Sequence, residues 1–126
     1  MLAMIIRDEE RKKALLRAMA DEYSLKILMA LIDKADSVNN ISRINDIPIA
    51  TAYRRIGELQ KAGLLVIERG VLTEDGKRYD LYRSAVKSMQ VSLRSGEIEI
   101  DVVPNKNAFS KLESMWMSLS EKNDRS

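Results

Sequence analysis

The 126-residue chain contains no cysteine and no histidine. Their absence excludes structural disulfides, thiolate or imidazole metal sites, catalytic cysteines and serine–histidine triads. A metal ion would have only carboxylate and water ligands, so we predict no metal site and no cofactor. No convergent set of carboxylate, lysine or tyrosine side chains indicates catalysis, and we expect a protein that is not an enzyme.

Long apolar runs are also missing. The longest one covers the first six residues and ends at Arg7, so it is too short to cross a membrane. It lacks the basic start and the small-residue cleavage site of a signal peptide. Hydrophobic residues make up 45% of the chain and charged residues 32%, which is the composition of one ordinary globular domain. We expect a cytoplasmic protein with no membrane partner.

The net charge is only +2, but the positive charge is concentrated in one part of the chain. Residues 37–95 carry ten basic and six acidic side chains, whereas residues 1–36 carry seven of each. Residues 96–126 carry four basic and six acidic side chains. A local excess of positive charge is typical of a surface that binds nucleic acid, although this excess is modest.

Residues 47–65 predict an amphipathic helix followed by a strand. Ala52, Ile56 and Leu59 recur at steps of four and three, so they form one buried stripe. Gly63 is expected to end the helix in the left-handed conformation. The other faces carry the polar and charged residues, among them Thr51, Arg54, Glu58 and Lys61. By itself this pattern is as typical of an ordinary surface helix with solvated charges as of a helix that reads DNA.

Three helices are predicted before this stretch. The first covers about residues 8–20, and the second runs from an N-cap at Asp21 to about Lys34. Asn39 is expected to cap a short third helix, whose Ile41 and Ile44 face inward. Only three or four residues then precede the next helix, which is the spacing of a helix-turn-helix motif.

Two hairpins are predicted after the helices. Strand-like residues 64–69 and 79–86 flank the turn signal Asp75-Gly76, and a hairpin directly after a helix-turn-helix is a wing. Lys77 and Arg78 lie at its tip. The second hairpin has two alternating arms, residues 89–93 and 98–102, with a turn between them.

A last helix is predicted after Pro104. Its large apolar residues are spaced three, four and three apart, like the seam of a coiled coil. We expect this helix to pair with a second subunit, while packing on its own domain is the alternative. The predicted dimerisation residues are Phe109, Leu112, Trp116 and Leu119.

These elements predict an α+β fold, mainly α with β-hairpins. The architecture is a winged helix-turn-helix with an added C-terminal β-hairpin and helix. We assign residues 1–87 to the winged DNA-binding domain and residues 88–126 to a dimerisation extension of that domain.

Residues 8–86 resemble the winged helix-turn-helix regulators, and most closely the ArsR-type repressors of archaea and bacteria. The resemblance rests on DEYSLKILMAL at residues 21–31, on LTEDGKRY at residues 72–79, and on a spaced sequence pattern within residues 51–64. The residues of that pattern are Thr51, Arg54, Leu59, Gly63 and Leu64. The chain differs from the metal-sensing branch of the family because it has no Cys or His ligands, so the resemblance implies no effector.

The resemblance implies roles for individual residues. Thr51 and Arg54 would stand at the exposed start of the recognition helix, and Arg55 matches a position that is often basic. Arg54 suits a guanine edge because its guanidinium can donate two parallel hydrogen bonds. The other basic and hydroxyl groups would contact phosphates. The predicted DNA-binding residues are Thr51, Tyr53, Arg54, Arg55, Lys61, Lys77 and Arg78.

We therefore predict a sequence-specific regulator of transcription that binds double-stranded DNA as a homodimer. The recognition helix would cover about residues 49–62 and the wing about residues 64–86. The alternative is a winged-helix module that binds another protein instead of DNA. A small-molecule effector could bind between the C-terminal hairpin and the last helix, and such a protein would bind DNA as well.

Overall fold

The computed structural model describes residues 3–106, which form four helices and five strands. The helices are α1 (Glu9–Ala20), α2 (Glu22–Ala30), α3 (Val38–Ile44) and α4 (Ile49–Lys61). The strands are β1 (Met4–Ile6), β2 (Leu65–Leu72), β3 (Arg78–Ser84), β4 (Val86–Arg94) and β5 (Glu97–Pro104). None of the described helices is long and apolar enough to span a membrane. The predicted final helix, with its four dimerisation residues, lies outside the described residues.

The core forms where the predicted stripe of α4 meets the other helices. Ala52, Ile56 and Leu59 are buried as predicted, and Gly63 has the expected positive φ of 79°. Leu15 of α1 and Ile27 of α2 are fully buried against the same cluster. The predicted α+β class and winged helix-turn-helix architecture are thereby confirmed.

The strands form two separate antiparallel sheets. Strands β2 and β3 pair into the predicted wing, and an isolated bridge between Asp36 and Tyr82 joins β3 to the segment before α3. The second sheet has the order β1-β5-β4. Ile100 and Val102 of β5 are fully buried in the helical core, so both hairpins pack around one hydrophobic centre.

The N-terminal segment forms a strand that the sequence patterns did not predict. Met4, Ile5 and Ile6 pair with Val102, Asp101 and Ile100 of β5. Three residues are too few to show alternation convincingly. Their partner strand lies almost 100 positions further along the chain, so no local pattern indicates the pairing.

Helix α2 ends earlier than predicted. We expected it to reach about Lys34, but its last helical residue is Ala30, and Leu31 is the C-cap. The Leu31 carbonyl accepts a hydrogen bond from the Ser84 N–H of β3. The backbone that could have continued the helix is thus bonded to the wing instead.

Arg83 fastens the wing to the end of α2. This side chain is buried, and its guanidinium donates to the carbonyl oxygens of Ile32 (3.0 Å) and Asp33 (2.9 Å). It also forms an ion pair of 3.0 Å with Glu68 of β2. Asn105 donates to the same Ile32 carbonyl at 2.8 Å. These two carbonyls lie in the bend after α2, outside any helix or strand, and distant side chains supply their donors.

Two expectations for α3 were wrong. Its N-cap is Ser37, whose hydroxyl accepts from the Asn40 N–H at 3.2 Å, rather than Asn39. Ile44 is 57% exposed, whereas Ile41 is buried as predicted. A helix of seven residues presents only a narrow inner face, and Val38 and Ile41 occupy it.

The wing turn is longer than the Asp75-Gly76 signal suggests. The strand ladder closes at Leu72 and Arg78, which leaves a loop of residues 73–77. Gly76 lies within that loop with a φ of 84°, in the left-handed region that glycine adopts readily.

Replacing Arg83 by Met should lower the free energy of unfolding by about 2–3 kcal/mol, because Glu68 and the Asp33 carbonyl lose their charged partner. Urea denaturation of the variant and the wild type would measure the difference. Arg94→Met is the matched control, since Arg94 is exposed and should change stability by less than about 0.5 kcal/mol. Equal effects of both substitutions would show that Arg83 does not fasten the wing.

Candidate functional site

The turn between α3 and α4 is held by one buried serine. The Ser42 hydroxyl donates to the Ile47 carbonyl at 2.5 Å, and the Ile47 N–H donates back to the Ser42 carbonyl at 2.9 Å. Asp46 adopts a positive φ of 53°, and Ile47 is buried. The turn is therefore a fixed corner that sets the direction of α4.

The first turn of α4 has no side-chain cap. Its N-cap is Pro48, which makes no side-chain hydrogen bond, whereas Asp8, Asp21 and Ser37 cap the three preceding helices. Amide groups in the first turn of a helix lack partners within it, and together with the helix dipole they attract anions. Thr51, which is half-buried, lies in this first turn.

The outward face of α4 carries Ala50, Arg54, Gly57 and Lys61, at steps of four, three and four opposite the buried stripe. Arg54 is exposed, and no residue among 3–106 forms an ion pair or a hydrogen bond with its side chain. A Cβ atom at Gly57 would meet nothing within 4 Å. Beside Arg54, the surface of α4 therefore has no side chain at Gly57 and leaves open space there.

Tyr53 lies on the flank of α4 that faces the wing. Its 56%-exposed side chain borders a groove of about 440 Å³ between α4, the start of α3 and strand β3. Burial raises the pKa of Tyr82 at the base of this groove, and the charge of Asp80 raises it further. The polar residues lining the groove also include Ser37, Asn39, Asn40 and Arg78.

Arg55 lies on the opposite flank and is held by two acidic residues. Its Nε is 3.0 Å from Asp21 Oδ2, and its Nη1 is 3.3 Å from Glu58 Oε2. Its Nη2 donates to Asp21 Oδ1 at 3.2 Å. Asp21 caps α2 by accepting from the Ser24 N–H, which is the main cause of its lowered pKa, and Arg55 lowers that pKa further. Arg55 therefore ties α4 to the start of α2.

Lys61 borders the same flank, next to a groove of about 520 Å³ between α1 and α4. Its side chain is exposed at the last turn of α4. It lies two turns beyond Arg54, at the far end of the outward face.

The wing tip is a bonded loop rather than a loose one. The Thr73 hydroxyl accepts from the Lys77 N–H at 3.0 Å and also bonds Asp75, and this bond lowers the pKa of the Asp75 carboxyl. Lys77 is exposed at the tip. Arg78 is exposed too, 3.8 Å from Asp80 of the same strand.

The structure thus brings together part of the predicted set and separates the rest. Tyr53 and Arg78 line one groove, and Arg54 lies on the neighbouring face of α4. Arg55 and Lys61 lie on the flank towards α1 and α2. The sequence patterns did not predict that the start of α3 lines this groove, although the Ser37 cap could have shown that Asn39 and Asn40 open a helix beside α4.

Comparison with known proteins identifies the motif. Residues 19–68 match the model of a family described as a helix-turn-helix domain, which confirms the prediction for this segment. No curated protein matches the chain.

The solved structures that are similar to this chain include the following two. One is the homodimeric winged helix-turn-helix DNA-binding domain, fragment 1–100, of a possible ArsR-family transcriptional regulator from Mycobacterium bovis. It is 21% identical, with a TM-score of 0.48, over 60% of this chain and 65% of that fragment. The other is HlyU from Vibrio cholerae, 17% identical, with a TM-score of 0.42, over 84% of this chain and 88% of that one.

Replacing Gly57 by Ala should raise the free energy of unfolding by about 0.5–1 kcal/mol, because alanine favours a helix and the position has open space. Thermal or urea denaturation would measure it. Gly76→Ala serves as the opposite control: its φ of 84° disfavours a side chain, so that variant should lose about 1 kcal/mol. A destabilised Gly57→Ala variant would contradict an open α4 surface.

Replacing Asp21 by Ala should cost about 1 kcal/mol at pH 7, because α2 loses its cap and Arg55 its partner. The folded pKa of Asp21 lies below the ordinary value of 3.8. Its contribution is thus present above pH 3.8 and disappears as the pH falls through the folded pKa. Urea denaturation would measure the difference in unfolding free energy between the variant and the wild type, which should be smaller near pH 3 than at pH 7. Asp33→Ala, which removes an exposed acidic side chain, is the control. A difference independent of pH would contradict a role for the charged carboxylate.

Proposed function

We propose, from a helix-turn-helix domain at residues 19–68 that continues into a wing, that the chain regulates transcription by binding double-stranded DNA. We propose further that it is of the ArsR-like type and acts as a homodimer. Helix α4 would enter the major groove, and the β2–β3 wing would lie along the backbone or the minor groove.

The observation that carries this proposal is the exposed Arg54 on the outward face of α4, whose side chain has no partner among residues 3–106. An exposed guanidinium without an acidic partner among the described residues is available for an external acceptor. Beside it, Gly57 leaves room for a close approach of the duplex. In the major groove the guanidinium would donate to guanine O6 and N7.

Phosphate contacts would surround this base contact. The uncapped amides of the first turn of α4, with Thr51, can donate to one phosphate. The groove that Tyr53 shares with Asn39 and Asn40 offers further donors on the wing side. Lys77 and Arg78 at the wing would add affinity that depends on salt rather than on sequence.

Arg55 takes a different role in this proposal from its neighbour. Because both of its guanidinium edges are engaged by Asp21 and Glu58, it would position α4 rather than touch DNA. Lys61, exposed at the far end of α4, would contact a phosphate. A single winged domain reads only a few base pairs, so a two-fold dimer would be needed for a long, palindromic site.

Selection of binding sites from random duplexes, repeated at two salt concentrations, tests the proposal. Enrichment of palindromic sequences is expected, with affinity falling as salt rises. Failure to bind any duplex at low salt would overturn it and favour a module that binds another protein.

Replacing Arg54 by Ala should weaken binding to the selected site by about 5- to 150-fold and relax the preference at one position in each half-site. Fluorescence anisotropy with the selected duplex and single-base variants would measure both effects. The control is Arg7→Ala, which removes an exposed arginine beside Arg94 and Glu97 at the other hairpin. Equal weakening on all sequences would assign Arg54 to a phosphate instead.

A further inference from the structure

Strand β4 leaves one edge of the three-stranded sheet without a partner among residues 3–106. It is nine residues long, and β5 is its only strand partner within the described part of the chain. The run of residues 88–93 contains no charge, no proline, no glycine and no bulge, since the single register shift lies before Ser88. A long, regular and uncharged edge is a template for pairing with another strand.

The other edges of the described sheets are protected. Strand β1 has only three residues and is followed by the charged Arg7. Strand β2 is interrupted by a bulge at Glu68 and carries Arg69 beside it. The far edge of β3 is bonded to Asp36. Natural proteins use short length, charges and bulges to block unwanted pairing, and β4 has none of these devices within residues 88–93.

The apolar face of β4 also extends beyond the core. Met89 and Val91 face the buried Val102 and Ile100 of β5, whereas Leu93, on the same face, is 80% exposed. The opposite face is polar, with Gln90 and Ser92 beside Asp101 and Glu99. A partner strand on this edge would therefore need one apolar and one polar face, as β4 itself has.

We infer that β4 pairs antiparallel with β4 of a second copy of this chain, with Val91 opposite the partner's Val91. This inference rests on the homodimer of the proposed function and names the surface that forms it. In this register Met89 lies opposite Leu93 and covers it, Gln90 lies opposite Ser92, and Ser88 lies opposite Arg94. No two like charges face each other across residues 88–94.

Neighbouring registers are less favourable. A shift by one residue places the apolar face of one sheet beside the polar face of the other. A shift that centres the pair on Gln90 places the charged Lys87 opposite Leu93. The register centred on Val91 is the one that matches the three apolar residues of the run 88–93, Met89, Val91 and Leu93, with one another.

The pairing also has the symmetry that a palindromic site requires. A two-fold axis between antiparallel strands runs perpendicular to the sheet, so the inner faces of both sheets lie on the same side. The helices pack on that inner face through Ile100 and Val102. In such a dimer, both winged domains would lie on the same side of a continuous six-stranded sheet.

Charge substitutions at Gln90 and Ser92 test the interface in the full-length chain. The double variant Gln90→Lys/Ser92→Lys places lysine opposite lysine twice, and its dimer dissociation constant should rise about tenfold. Gln90→Lys/Ser92→Glu places lysine opposite glutamate twice and should restore the dissociation constant to within about threefold of wild type. Sedimentation equilibrium measures these constants, and circular dichroism checks that each variant is folded.

The matched control is Ala3→Lys/Ile5→Lys, which adds two lysines at the same spacing to the opposite edge of the sheet, where both side chains are exposed. It should leave the dimer unchanged. A wild-type protein that is monomeric at about 100 μM would overturn the inference. So would an unchanged Lys/Lys variant, or a Lys/Glu variant that stays as weak as the Lys/Lys variant.

Binding to a duplex with a single half-site separates this inference from the proposed function. The Lys/Lys variant should bind a half-site as wild type does and lose affinity only for the palindrome. If no form binds DNA while the charge series behaves as expected, the β4 interface stands and the DNA-binding proposal fails. If DNA binding holds while the charge series has no effect, the dimer forms elsewhere, for example through residues 107–126.

Discussion

The fold depends on how the carbonyl groups of residues 31–33, directly after α2, are satisfied. These residues lie in a turn and bend outside any helix or strand, and leaving buried backbone acceptors unpaired is costly. Ser84, Arg83 and Asn105 supply the donors to Leu31, Ile32 and Asp33. These donors come from the end of the wing and from the residue after β5. This short segment is therefore the point at which the helices, the wing and the second hairpin are held together.

The position of the wing relative to α4 follows from that arrangement. Strand β3 is attached to α2 by Arg83 and to the segment before α3 by the Asp36–Tyr82 bridge. The turn before α4 is fixed separately, by the two hydrogen bonds between Ser42 and Ile47. Because β3 and the start of α4 are each attached to neighbouring backbone by hydrogen bonds, both walls of the groove between Tyr53 and β3 are fixed.

The sequence predicted the parts of this structure that local periodicity governs, and it failed where distant groups decide. The stripe of Ala52, Ile56 and Leu59 and the positive φ of Gly63 follow from spacing within one helix. The early end of α2 depends on donors about 50 residues further along, and β1 depends on a strand almost 100 positions away. The same limit applies to the site. Arg54 and Arg55 are adjacent, but Arg55 pairs with Glu58 and also with Asp21, which lies 34 positions earlier in the chain.

Ala85 shows how little the two hairpins are separated. It is the single residue between β3 and β4, is fully buried, donates to the Leu64 carbonyl and accepts from the Asn105 N–H. No linker exists at this point, and β5 supplies Ile100 and Val102 to the core. The winged domain is therefore not modular: cutting the chain after the wing would expose the core that supports it. Recombination or domain grafting would therefore have to keep the second hairpin, residues 86–104, together with the wing.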